Sequence, residues 1–125
     1  MSQSIVESFN VLTTLAAYRV VSLDTSASNT VVFPPSSLRP QIGITIDTVR
    51  DTTGSVPVAI AGVAKLFFND TISAGALVSA DTSGRGIPYV DVTAGAAFIG
   101  MVVQTVSATG TIADVVIHSG FKAIP

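Results

Sequence analysis

The 125-residue chain has no cysteine, no tryptophan, one histidine and one glutamate, and only 11% of its residues are charged. Each shortage excludes something. Without cysteine there is neither a disulfide framework nor a thiolate metal site, and nothing signals an oxidising compartment. His118 has no thiol partner for a dyad, and no nucleophile elbow supports a serine triad around it. A net charge of −2, spread over scattered aspartates, offers no basic stripe for nucleic acid. The inventory therefore argues against an enzyme. Catalytic, metal-binding and cofactor-binding residues are expected to be none, and a small-molecule substrate is not expected.

Long apolar runs are also missing. The longest stretch without charged or polar side chains, AGAAFIGMVV at 94–103, is about half the ~20 residues a membrane helix needs, so no membrane partner is expected. The opening MSQSIVESFNVLTTLAAYRVV has no basic leader and carries Glu7 where a signal peptide would be cationic, which suits synthesis in the cytoplasm. The sequon NDT at 69–71 reads as turn chemistry.

What is present is apolar: 48% of the residues are hydrophobic, whereas the charged share is less than half of the ~25% usual for a soluble domain. Ser and Thr must supply most of the polar surface. The combination fits a protein that hides part of its exterior in an assembly.

Periodicity argues strands nearly everywhere. YRVVSL (18–23), TVVF (30–33), IGITIDTV (42–49), VPVAIAGVAKLFF (56–68), ALVS (76–79), IPYVDV (87–92), AFIGMVVQTV (97–106) and IADVVIH (112–118) are rich in β-branched and aromatic residues. Gly, Pro, Asn, Asp and Ser separate them. That spacing predicts an all-β fold, a small single-domain β-barrel or sandwich of short antiparallel strands and hairpins. The expected organisation is an N-terminal arm over 1–14 and one β domain over 15–125. In the arm, Ser4 and Glu7 form a capping-box pattern that allows a short helix, while Thr13, Thr14 and Asn10 favour an extended segment that pairs with a sheet.

Residues 42–66 and 99–124 echo each other: Ile-Gly opens both, Thr-Val follows, then a Gly turn, a Val-x-Ile strand and a final Gly. One hairpin is used twice in this reading, with Gly43 matched to Gly100, Gly54 to Gly110 and Gly62 to Gly120. DTTG at 51–54 and DTSG at 81–84 approach the Asp-Thr-Gly loops of aspartic proteases, yet each has an extra residue and sits where turns favour Asp and Gly anyway. SGRGIP at 83–88 runs into a proline and a strand, whereas a phosphate loop opens a helix. DTSAS at 24–28 lacks the glycine and terminal glutamate of a calcium loop.

The order YRVVSLD, IGITIDTV with its Gly turn, VPVAIAGVAKLFF, ISAGALVSADTSGRGIP (72–88) and AFIGMVVQTVSATGTIADVVIH resembles the small head-decoration, or capsid cement, proteins of tailed bacteriophages over nearly the whole chain. The resemblance implies a structural role on the virion. Such proteins bind the outside of the mature head where capsomers meet, often as trimers, and reinforce the shell. The implied partners are the major capsid protein and further copies of the chain, as a homotrimer, and no cofactor is implied. The long apolar arm and FPPSSLRP (33–40) set this chain apart from the best-known members. Candidate capsid or inter-subunit contacts are Ile5, Val6, Phe9, Leu12, Phe33, Pro34, Pro35 and Arg85. The alternative is a receptor-binding or tail module, which would favour clustered exposed aromatics, although only 6% of residues are aromatic.

Overall fold

The computed structural model describes residues 4–36, 39–48, 54–89 and 96–121. Among them there is no helix. Nine strands form one continuous sheet: β1 (Ser4–Val11), β2 (Val20–Leu23), β3 (Thr30–Val32), β4 (Gly43–Thr45), β5 (Ser55–Phe67), β6 (Leu77–Ala80), β7 (Gly86–Pro88), β8 (Ala97–Val102) and β9 (Ile112–Phe121). The sheet runs β1-β3-β2-β4-β5-β9-β8-β6-β7. This is the expected all-β domain, though it does not close as a single barrel.

The N-terminal segment is a strand, so its capping-box pattern is overridden by pairing. β1 runs antiparallel to β5 from Ser4↔Gly62 to Asn10↔Ser55, and parallel to β3 at Asn10↔Thr30 and Val11↔Val31. It thereby closes β1, β3, β2, β4 and the first half of β5 into a ring. The parallel contact departs from the all-antiparallel expectation.

The pairings repeat at a constant interval of 57 residues. Val20↔Ile44 corresponds to Leu77↔Met101, Val21↔Gly43 to Val78↔Gly100, Ile44↔Ala59 to Met101↔Val116, and Val6↔Ala59 to Val63↔Val116. Side chains follow the same interval. The Ala17 amide donates to Thr48 Oγ1 at 3.2 Å and the Ala74 amide to Thr105 Oγ1 at 3.1 Å. The Asp24 carboxylate accepts the Ser26 amide at 2.9 Å, as the Asp81 carboxylate accepts that of Ser83 at 2.9 Å. Within these turns the second copy is two residues shorter, because Leu23↔Val31 answers Ala80↔Gly86, and the interval is 57 again at Gly43 and Gly100.

The duplication thus reaches beyond the echoed hairpins to the whole described chain. β5, at 13 residues, serves both halves: its start pairs with β1 and β4, and its end from Gly62 pairs with β9. The second ring returns to β5 through one parallel bridge, Phe68↔Gly86, at the place that Val11↔Val31 holds in the first. Two expected matches move. A spacing of 57 sets Gly54 against Thr111, so Gly110, with a φ of 82°, falls one position short of it. The same spacing sets Gly62 against Ser119, since Gly62 has a φ of 91° beside the β1–β5 register shift, while Gly120 lies beneath the Phe98 ring.

Each half has its own interior. Val11, Leu15, Val21, Val56 and Val58 fill the first, and their counterparts Phe68, Ile72, Val78, Ala113 and Val115 fill the second. All ten are buried, and each fully buried Val, Leu, Ile or Phe contributes roughly 1.5–3 kcal/mol.

Candidate interaction surface

The two halves pack tip against side. The turn joining β6 to β7 is the tip of the second repeat, and it rests on the start of β2. The Val20 amide donates to the Gly84 carbonyl at 2.7 Å, and Arg19 Nη1 donates to the Ser83 carbonyl at 3.3 Å. The Arg19 guanidinium also lies 4.8 Å from the Phe67 ring centroid, a cation–π geometry. Burial, followed by the nearby Arg85 charge, lowers the Arg19 pKa, and Asp81 opposes them. At Gly84 a side chain would run into the Val20 carbonyl and the Phe33 ring, so a bare backbone permits the contact.

This contact hides the middle of one face of the first repeat. Val20, Ile44 and Ala59 form a row across β2, β4 and β5, directly paired and all at 0% exposure. They cluster with Leu66, Phe68, Val78 and Ala80 of the second repeat. The corresponding row of the second repeat, Leu77, Met101 and Val116, has no such cover. Met101 and Val116 are each 42% exposed, and Val103 and Ile112 are further exposed apolar side chains toward the β8–β9 turn. Facing residues of neighbouring strands share one side of a sheet, so Val63, opposite Val116, lies beside the row, as Val6 does beside Ala59 in the first repeat, where it stays 41% exposed. The Lys65–Asp114 pair at 3.5 Å crosses this face but is too exposed to contribute much.

The residues expected at an interface are divided by the fold. Phe9 and Phe33 pack against the first core and Pro34 is buried, so these three support the domain. Ile5, Val6, Leu12 and Pro35 are exposed. Arg85 closes its own turn, with Nε 2.9 Å from Asp81 Oδ2 and its amide on Asp81 Oδ1. The glycine-rich stretch around it is therefore a bend between strands, held by the Asp81 carboxylate. Asp24 does the same in the first repeat, and the Ser26 amide, then its hydroxyl, holds the Asp24 carboxyl below its ordinary pKa. Among the described residues no group of three or more His, Asp or Glu gathers as a metal site would require.

Met101, Val103, Ile112 and Val116 were not singled out by the sequence, where they read as strand interior. For Met101 and Val116 the exposure depends on which repeat lies at the end, because their counterparts Ile44 and Ala59 are fully buried.

The nine-stranded fold has a counterpart in a phage particle. Head fiber gp8.5 N base in bacteriophage phi29 superposes with a TM-score of 0.70, over 93% of this chain and 95% of that one, at 13% identity. At that identity the likeness is one of fold. No protein-family model matches the chain, and no curated protein matches it in sequence.

Proposed function

We propose that the chain is a structural protein of a tailed-phage particle, one that binds the outer surface of the head at capsomer junctions and stabilises the mature shell. The observation that carries this reading is the shared fold with a head fiber base, spanning nearly all of both chains. The apolar, weakly charged surface supports it. A decorating protein works through many copies, so modest contacts with the major capsid protein and with neighbouring copies add up by multivalency. The role is structural and requires no catalytic residue or cofactor, and the copies on the shell assemble as homotrimers.

The test is co-sedimentation of purified protein with heads of the phage that encodes it, prepared without it. Saturable binding, with heads that retain their DNA to higher temperature, is the expected result. Binding to cell-surface material and not to heads would replace this reading with a receptor-binding one.

A further inference from the structure

We propose that the row Leu77, Met101 and Val116 receives the tip of the first repeat of a second copy of this chain. The inference rests on self-association in the reading above and names the two surfaces that meet.

The chain already contains one such contact. Within it the tip of the second repeat, Ala80 through Arg85, covers the side row of the first repeat, and Ala80 is left 4% exposed. Two surfaces lack their counterpart. One is the side row of the second repeat, with Met101 and Val116 each 42% exposed. The other is the tip of the first repeat, where Leu23, the counterpart of Ala80, is 44% exposed and the turn after it is largely open. These are the two halves of an interface the same fold makes internally. Both turns are built alike, with an Asx contact from Asp24 or Asp81 and a left-handed residue at the corresponding place, Asn29 at φ 56° and Gly84 at φ 76°.

Tip and side are different surfaces, so the contact is heterologous. Copies joined this way follow one another head to tail and close into a ring if the rotation permits. A face-to-face pairing of two identical side rows would leave both Leu23 tips uncovered.

The chain has no cysteine, so each introduced thiol is unique. Leu23→Cys and Met101→Cys both alter exposed positions, and circular dichroism checks that each variant keeps its β spectrum. Mixed at high concentration under mild oxidation, the two variants should form the mixed disulfide at several times the yield of either same-variant disulfide. The double variant should give covalent oligomers larger than dimers. Same-variant disulfides at or above the statistical share would overturn the proposal, as would no disulfide beyond that of the unfolded mixture. A non-covalent arm uses Leu23→Asp and Met101→Lys. Each alone should weaken self-association at least tenfold in sedimentation velocity, and mixing the two should restore the contact between unlike copies.

Decoration separates this from the broader reading. Normal binding of both cysteine variants to heads, without the mixed disulfide, would remove the proposed face and leave capsid binding standing. A cross-link from Met101→Cys to the major capsid protein would make the capsid, not a second copy, the occupant.

Discussion

Gly43 and Gly100 hold the same position in the two halves: a Cβ on Gly43 would collide with the carbonyl oxygen of Ala59, and one on Gly100 with that of Val116. Residues 59 and 116 are 57 apart, as the glycines are. Each obstacle is backbone of a neighbouring strand and cannot rotate away. Gly43→Ala and Gly100→Ala should each lower stability by about 1–3 kcal/mol, the usual cost of overpacking, read as a shift in the urea midpoint. A cost at one position only would mean that the halves are not built on the same close approach.

The two ring closures solve one packing problem with opposite residues. Val11 pairs with Val31 in the first, while Phe68 pairs with Gly86 in the second, where a Cβ on Gly86 would stand 2.7 Å from the Phe68 ring. Gly86→Val alone should cost about 1–3 kcal/mol through overlap, and Phe68→Val alone about 1–3 kcal/mol through the cavity it leaves. The double variant, which copies the first ring, should be more stable than the two losses summed. Strict additivity in this double-mutant cycle would count against the equivalence.

Strand content was legible in the sequence because the period of two survives at almost every element, and Ile-Gly with Thr-Val flagged the β4–β5 and β8–β9 hairpins. The fuller duplication was harder to read. Val21-Ser22 and Val78-Ser79 each lead to Asp-Thr-Ser, but the turn that follows is two residues shorter in the second repeat, which breaks a simple alignment. Each motif reads singly as turn chemistry, once the calcium-loop and protease-loop patterns are seen not to fit, and nothing then matches one to the other. The interaction surface was not legible, since Ile44 and Met101 are both strand hydrophobics. Only the packing of one repeat on the other buries the first and leaves the second in water.

A buried hydroxyl in each repeat should respond differently to removal. Ser79 donates to the Ala97 carbonyl at 2.8 Å and accepts Gln41 Nε2 at 3.2 Å, whereas buried Ser22 Oγ has no partner among the described residues. Ser79→Ala should cost about 1–3 kcal/mol by stranding both partners, and Ser22→Ala should change stability by less than about 0.5 kcal/mol or raise it. Thermal denaturation of the two variants checks the order.

Residues 4–10 pair along their length with the rest of the sheet. β1 bonds two strands and sets Phe9 against the first core, so deleting residues 1–10 leaves β3 and the start of β5 with open edges. The truncated chain should lose much of its β spectrum and melt at a markedly lower temperature. Unchanged unfolding would show that the ring does not depend on β1.

The most direct test of the central claim, that this chain is a head protein of a tailed phage, is to image intact particles made with and without it. The account predicts nine-stranded density of this fold on the outer surface of the head at capsomer junctions, in threefold groups, absent from particles made without the chain. Density of this fold confined to the tail, or no difference between the two kinds of head, would contradict it.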